Sequence, residues 1–313
     1  MRELAAENEH PVEGQHVITK KVIKRFAAPS GNDAGKIAFI CLEYPDVPQM
    51  PRGPGGCGKV DNFVSIASAS LERRWQETET RLHDALQAVD DGTILGSQRH
   101  TGTIKDTIAL HFARSLAVRE VNRRLWEWLV PQQRTQWLTD PLLRQMLISE
   151  FYRRHGLLPA GFQALEDLLD DVMASSIEMG SSGAQFRESI ESTHSQAVAW
   201  VGQHELEILT PGSGEFLIGD VPVLTVRHDT HLVGVHGGIA LGDAHAVFMP
   251  LGPRHIASVV RSPRMAELTP ELVNDLKALQ VRGAMKYVYM RPGSGLESFV
   301  RQIVGADGQS ASA

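Results

Sequence analysis

The sequence predicts an α+β fold that is predominantly helical, with one small, mostly antiparallel sheet formed mainly by the C-terminal half. Three observations support this prediction. Apolar residues recur at helical spacing in long segments between residues 71 and 203, short β-like runs separated by Gly, Pro and Asp follow residue 204, and a helical pattern closes the chain. At 313 residues, 42% hydrophobic and 22% charged, the chain has the composition of a globular protein with a large core.

The first part of the chain combines a tail, a helix, a strand and a loop. We expect residues 1–14 to form a disordered tail, because they are polar and carry no apolar period. Residues 16–26 have the spacing of a short amphipathic helix, and residues 36–44 have the composition of a strand. The loop that follows, residues 45–58, is rich in proline and glycine.

The middle of the chain is predicted to be helical. The pattern over 103–130 is the strongest and predicts one helix that spans the domain, and Pro141 stands at a first-turn position of another. The predicted helices cover residues 71–89, 103–130, 140–155, 159–173 and 184–203.

The last third contains the predicted sheet and a closing helix. Thr269 is a suitable N-cap and Pro270 a suitable first residue, so we expect a helix over 269–289. Residues 304–313 are rich in Gly, Ser and Ala, and we expect a flexible tail, which leaves a single domain over 15–303. The predicted strands cover residues 206–209, 215–219, 223–226, 244–250 and 256–260.

The composition of the chain predicts its cellular location. No apolar run approaches the roughly 20 residues that a membrane-spanning helix needs, and the polar N-terminus differs from a secretory signal. Cys41 and Cys57 are the only cysteines, and we interpret both as thiols in a reducing compartment. We therefore expect a cytoplasmic protein without a membrane partner.

Two motifs are rejected on inspection. Residues 53–60 approach the phosphate-binding pattern GxxxxGK[ST], but Val60 replaces the hydroxyl residue that would hold magnesium, and a proline-rich stretch separates the loop from the preceding strand. Among the thirteen histidines, His228, His231, His236 and His245 are the densest group. They lack the ligand spacing of a structural zinc site, so we assign no residue to a metal.

Several segments together resemble a bacterial family of unknown function, DUF4238. The opening segment is similar to that family's motif His-x-(Val/Ile)-Pro-x-x-x-Leu-(Arg/Lys)-x-Phe, and the other segments follow in the family's order. The resemblance covers roughly residues 16–290. The matching segments are 16–26, a segment beginning at Glu79, 108–115, 216–223, 249–253 and 276–289.

The resemblance implies a shape but no established reaction. Two positions depart from the family's pattern: Thr19 stands where it has proline, and Lys277 where it has asparagine. If that asparagine takes part in chemistry in relatives, this chain has changed it. The function must therefore be argued from the residues themselves.

Basic residues are segregated from acidic ones. They concentrate in three stretches that coincide with the family-like motifs, 16–26, 99–124 and 277–291, while the acidic residues lie mainly in 166–191. Because the formal net charge is -6, a basic face on this acidic protein indicates a phosphate-bearing partner such as RNA, DNA, a nucleotide or charged tRNA. The alternative is that these are ordinary solvated helix faces.

The candidate catalytic residues are His16, Asp220 and Glu79. Histidine exchanges protons near neutral pH, and a carboxylate such as Asp220 orients it or holds a divalent ion, so a divalent metal is left open as cofactor. The candidate substrate-binding residues are Arg25, Arg114, His111 and Lys277. The two arginines are suited to clamping an anion, and His111 shares a helix face with Arg114.

A structural explanation of the same residues stays open. In it His16 caps a helix, Asp220 holds the turn before Pro222, and Arg114 pairs with Glu79.

Two functions remain open for the protein. The first is an enzyme on a phosphate-bearing or nucleic-acid substrate, nuclease-like and metal-assisted, in a defence or toxin role. The second is a non-catalytic binding or regulatory protein that docks an acidic partner. The first requires convergence of the candidate residues, and the second leaves them scattered or in salt bridges.

Overall fold

The computed structural model describes residues 15–60, 63, 69–182, 184–228, 232–260 and 263–310. The predicted N-terminal tail, residues 1–14, and His231 lie outside them. The helices are α1 Lys20–Ile23, α2 Ala69–Asp90, α3 Gln98–Ala113, α4 Leu116–Thr139, α5 Pro141–His155, α6 Phe162–Ser182, α7 Ala184–Gly202, α8 Pro270–Gly283 and α9 Leu296–Ser310. The strands are β1 Gln15–His16, β2 Ala38–Cys41, β3 Lys59–Val60, β4 Glu205–Pro211, β5 Ile218–Gly219, β6 Leu224–Val226, β7 Ala246–Gly252, β8 His255–Val260, β9 Arg264–Leu268 and β10 Tyr287–Met290.

The strands described form three sheets, so the prediction of one sheet is corrected. The largest has the order β6-β7-β8-β4-β9, antiparallel except for the parallel pair of β4 and β9. A second sheet, β2-β10-β5, pairs β2 from the first part of the chain with β10 from the last part, and β1 pairs with β3 in a third sheet. The α+β class is confirmed. The added sheets arise because short strands distant in sequence pair across the fold.

Two predicted helices are interrupted. The helix expected over 103–130 breaks after α3 at Arg114, and α4 restarts with Ser115 as its N-cap, whose Oγ accepts a hydrogen bond from the Val118 N–H at 3.1 Å. The helix expected over 269–289 ends at Gly283. After the connection 284–286 the chain forms β10, which is paired on both edges. Tertiary pairing therefore overrides local helical spacing there.

The main core lies where α2, α3 and α7 pack together beside the sheets. Leu82, Ile104, Ile108 and Ile190 are all fully buried in it. The region of α4 to α6 has a smaller apolar cluster of its own, which includes Leu147 and Leu169. Of the helices described, none is long and apolar enough to span a membrane.

Both ends of the described chain differ from their predictions. The segment 16–26 is not one helix: it begins in β1, and α1 passes into a short 3-10 helix, Lys24–Phe26. The prediction of a tail from residue 304 does not anticipate α9, which runs to Ser310.

Candidate functional site

Polar side chains from four elements meet beneath the start of the described chain. His16 ends β1, Thr19 precedes α1, Trp75 belongs to α2, and His111 and Arg114 lie at the end of α3. We call these five residues the His16 cluster. All but His16 are at least nine-tenths buried. Of these four buried residues, Arg114 carries a charge and the other three carry hydrogen-bonding groups.

His111 is held as a neutral imidazole by two backbone groups. The N–H of Thr19 donates to Nε2 at 3.0 Å, which leaves the ring proton on Nδ1, and Nδ1 donates to the Thr107 carbonyl at 2.7 Å. Burial lowers the pKa of His111 to about 4. Both ring nitrogens are thus engaged, and His111 ties α3 to the turn before α1 instead of presenting a group to a substrate.

Arg114 lies at the break between α3 and α4. Its guanidinium carbon is 4.2 Å from the centre of the Trp75 ring, a cation–π contact. Glu79 lies one helical turn after Trp75 and is half-buried. Arg114 contacts the Trp75 ring, and the structure shows no ion pair between the described residues Arg114 and Glu79.

His16 lies among three cations. Burial is the largest cause that lowers its pKa, and the charges of Lys20, Arg114 and Lys59 lower it further, while a hydrogen bond with the Gly55 backbone opposes them. His16 is the cross-strand partner of Lys59, so their side chains project to the same side of the strand pair. At neutral pH the His16 ring is therefore uncharged but surrounded by positive charge.

Several polar atoms of the His16 cluster are buried without a partner. Within the described residues, His16 Nε2, Thr19 Oγ1 and Trp75 Nε1 make no hydrogen bond. Roughly nine-tenths or more of buried polar groups in folded proteins are hydrogen-bonded. The concentration of such atoms around one imidazole indicates a place that takes bound water or a polar ligand.

A pocket of about 120 Å³ opens beside this cluster. We call it the Lys59 pocket, because Lys59 joins it to His16. Arg52 lies over the Phe39 ring, 4.5 Å from its centre, and supplies a second cation. The lining residues are Phe39, Arg52, Gly56, Cys57, Lys59, Tyr287 and Tyr289.

The Lys59 pocket presents hydrogen-bond donors. The Tyr289 hydroxyl accepts from the Gly58 N–H at 3.0 Å, so its own hydrogen remains for another acceptor. Burial raises the pKa of Tyr289 and raises the pKa of Cys57 to about 11, which keeps both groups protonated at neutral pH. Two cations and a phenol suit a ligand that is an anion and an acceptor.

The glycine-rich loop that forms this pocket depends on Gly58. Its φ of 62° lies in the left-handed region, and a Cβ there would approach the Cβ of Ile18 to 3.0 Å. Glycine therefore lets the loop lie against the segment between β1 and α1. The loop has no strand–loop–helix junction, since β3 follows it, which agrees with the rejection of a nucleotide-binding P-loop.

Asp220 is fully engaged by backbone groups beside the Lys59 pocket, since one of its donors is the N–H of Tyr287 and its charge helps to raise the pKa of Tyr289. Its Oδ1 accepts from the Met285 N–H at 2.8 Å, and its Oδ2 accepts from the N–H groups of Lys286 and Tyr287 at 2.9 and 3.0 Å. Burial raises the pKa of Asp220, and these backbone donors lower it. The carboxylate holds the connection from α8 to β10. No hydrogen bond or ion pair between these described residues joins Asp220 to His16.

Arg25 lines a different concavity, of about 360 Å³. It forms a bidentate ion pair with Asp90 at 2.8 and 2.5 Å, and His255 Nδ1 is 3.3 Å from the same carboxylate. Arg291 pairs with Glu215 at the other wall, and Arg254 is exposed. We call this the Arg254 cleft. Arg25 is therefore used in an ion pair and does not join Arg114.

Lys277 is also apart from the His16 cluster. Its ammonium lies 4.6 Å from the centre of the Phe299 ring, between α8 and α9, and burial lowers its pKa. Over the described residues, no group of three or more His, Cys, Asp or Glu is placed to hold a metal ion. His228 and His245 stack with ring centres 5.1 Å apart, and the His228 N–H donates to His245 Nδ1.

Of the predicted site residues, the structure brings together His16, His111 and Arg114. Glu79 lies one helical turn from Trp75. The residues outside the His16 cluster are Asp220, Arg25 and Lys277. The prediction missed Arg52, Lys59, Tyr287 and Tyr289. The alternation Tyr287-Val-Tyr289-Met is a strand pattern that places both tyrosines on one face, and this signal was available in the sequence.

A comparison with family models identifies one match. Residues 15–294 match the model described as "Protein of unknown function (DUF4238)". The chain belongs to this family. The match confirms the resemblance and spans both the His16 cluster and the Lys59 pocket. Neither a curated protein nor a solved structure matches the chain.

Proposed function

We propose that this DUF4238 protein binds a phosphate-bearing ligand, with a phosphate group held in the Lys59 pocket. One observation carries the proposal: Arg52, Lys59 and the free hydrogen of the Tyr289 hydroxyl converge on one small concavity beside a neutral histidine. Arginine and lysine form strong charge-assisted bonds to phosphate oxygens, and a phosphate has acceptors for each of these donors.

The electrostatics of His16 support the same ligand. An anion in the Lys59 pocket offsets the charges of Lys59 and Arg114, which lower the pKa of His16 in the free protein. The imidazole then takes up a proton and adds a third positive group near the ligand. Binding of an anion should consequently be coupled to proton uptake.

Isothermal titration with inorganic phosphate tests the proposal. Lys59 is exposed, so Lys59→Gln removes a ligand contact without a cost in packing. We expect the affinity to fall at least about tenfold, which corresponds to about 1.4 kcal/mol. Lys105→Gln is the matched control, because it removes the same charge from α3 away from the pocket. Equal phosphate affinity in the two variants and the wild type contradicts the proposal.

A second candidate function, hydrolysis of a phosphoester, is favoured by the unpartnered Nε2 of His16. In this reaction Nε2 accepts a proton from water, the water oxygen bonds to phosphorus, and the ester P–O bond breaks. The leaving oxygen then takes the proton back from the imidazolium. The lowered pKa keeps His16 neutral in the free protein, and the proton that the imidazole takes up when the anion binds would come from the attacking water.

Incubation with total RNA and plasmid DNA separates this enzyme from a binding protein. The reactions are run with and without magnesium or manganese, beside His16→Gln. The hydrolase predicts cleavage that His16→Gln abolishes. Absence of cleavage, or cleavage that survives the substitution, rejects it and leaves the non-catalytic binding function. A non-catalytic binding protein is expected to hold candidate residues in salt bridges, as Arg25 is held by Asp90.

A further inference from the structure

The Lys59 pocket is too small for a whole nucleotide. Its volume of about 120 Å³ lies well below the roughly 300 Å³ at which pockets for complete small ligands begin. Of the rings in its lining, Phe39 and Tyr289 are only 6% and 5% exposed, and Tyr287 is half-buried. The pocket therefore accommodates a phosphate group, and the rest of the ligand must extend outside it.

A strip of basic side chains leaves this pocket along α1. Lys20 lies close enough to His16 to lower its pKa, and Lys24 follows one helical turn later. Both lysines are exposed, while Val22 and Ile23 bury the opposite face of α1. Residues four apart on a helical turn have Cβ atoms about 5–6 Å apart. The exposed face of α1 thus continues the positive charge of Lys59.

The strip ends at the Arg254 cleft. Arg25 follows Lys24 directly and enters the cleft, where its charge is balanced by Asp90. Arg254 is exposed, and its one side-chain hydrogen bond among the described residues is a long contact of 3.4 Å with the Gly214 carbonyl. Its guanidinium is consequently the group at this end that is placed to take a further anion.

We infer that the ligand is a linear chain of phosphate groups, whose terminal phosphate lies in the Lys59 pocket and whose remaining phosphates follow Lys20 and Lys24 towards Arg254. This inference rests on the phosphate binding proposed above. An oligonucleotide with a terminal phosphate and an inorganic polyphosphate share this chemistry. Because the contacts are with phosphates, the binding of an oligonucleotide is independent of its base sequence.

The carboxylates near the strip do not neutralise its positive charge. Asp90 and Glu215 are the carboxylates that line the Arg254 cleft, and each is paired with an arginine of the same cleft. Lys21 points away, since its Nζ donates to the Thr80 carbonyl at 3.1 Å. The net charge along the path therefore comes from Lys20, Lys24 and Arg254, together with Lys59 and Arg52 at its start.

The test measures the affinity of the protein for four probes. They are inorganic phosphate, polyphosphate, and a labelled single-stranded oligonucleotide with and without a terminal phosphate. We expect both chains that end in phosphate to bind at least about tenfold more tightly than inorganic phosphate. The unphosphorylated oligonucleotide should bind at least tenfold more weakly than its phosphorylated form. The measurements are repeated at several salt concentrations, because each phosphate neutralised on a single strand contributes about 0.7 to the slope of log affinity against log salt.

Substitutions locate the path. Lys24→Gln with Arg254→Gln should lower the affinity for the phosphorylated oligonucleotide at least about tenfold more than that for inorganic phosphate, and lower the salt slope by about 1.4. Lys105→Gln should change neither quantity. If inorganic phosphate binds but the chains bind no more tightly, or the double substitution leaves the slope unchanged, this inference is overturned while phosphate binding stands. If no probe binds, both proposals are overturned.

Discussion

Asp220 and His16 both lie in the segment that matches the family, and they differ in the hydrogen bonding of their buried atoms. The carboxylate of Asp220 accepts three backbone N–H bonds and also lies in a well-paired strand region. His16 Nε2 is buried with no partner in the described part of the chain. Burial shifts the pKa of each group towards its neutral form, upwards for Asp220 and downwards for His16.

The difference separates a structural residue from a binding one. At Asp220 the backbone donors oppose the effect of burial and stabilise the charged carboxylate, so its interactions are complete without a ligand. At His16 the surrounding cations reinforce burial, and the charge of an arriving anion would oppose both effects. A polar residue with complete interactions stabilises the fold, whereas one left incomplete among cations is placed to respond to an anion.

The largest predicted effect is on Asp220. Asp220→Ala leaves three backbone N–H groups without their acceptor, and each such loss costs about 1–3 kcal/mol. We expect the free energy of unfolding to fall by at least about 3 kcal/mol in urea denaturation. Asp220→Asn keeps one acceptor oxygen and should lose less. An Asp220→Ala protein that is as stable as wild type but inactive would make Asp220 catalytic and would reverse the comparison.

The second prediction concerns the pH dependence that His111 creates. Its pKa is about 4 in the folded protein against 6.5 when unfolded, so folding favours the neutral ring. The corresponding stability is present above pH 6.5 and is lost as the pH falls from 6.5 towards 4, by about 3 kcal/mol.

Denaturant titrations at several pH values measure this loss. Other histidines with lowered pKa act in the same direction, so the useful quantity is the difference between wild type and His111→Asn. The variant should be less stable at pH 7 and show a flatter dependence between pH 6.5 and 4. Parallel curves for the two proteins would show that His111 is not held neutral.

The smallest predicted effect comes from Thr19→Pro, the residue of the family's pattern at this position. Thr19 has φ -56°, which suits proline, and its side chain caps nothing. Proline places its Cδ where the N–H hydrogen points at His111 Nε2, so the ring must shift and the buried Nε2 loses its donor. We expect the free energy of unfolding to fall by about 1–3 kcal/mol and the pKa of His111 to rise, read by NMR titration. An unchanged pKa would contradict the hydrogen bond.

Local signals predict elements best where no distant partner intervenes. Asp140 and Pro141 mark the start of α5, and the Asp140 side chain does accept from the Leu142 N–H at 2.9 Å. Residues 287–289 fall within the helix that the sequence predicts over 269–289. Only the pairing with β2 and β5 makes them a strand, and this pairing joins residues far apart in the sequence.

The site was predictable in part for the same reason. The structure brings together His16, His111 and Arg114, whereas Arg25 and Asp220, which belong to the same family-like motifs, have other partners. The Lys59 pocket was missed, since its residues come from a loop that was rejected as a P-loop and from a strand that was assigned to a helix. The separation of Arg25 depends on Asp90, whose position near α1 follows from the packing of α2 and not from any local pattern.

The most direct test of the central claim is the NMR response of the His16 imidazole to sulfate, an anion that does not titrate near neutral pH. At constant pH 7, saturation should raise the pKa of His16 and move its ¹⁵N signals towards those of an imidazolium. Lys59→Gln should require at least about tenfold more sulfate for the same change. A His16 ring unchanged at saturating sulfate, or a response confined to His255 in the Arg254 cleft, would contradict the account.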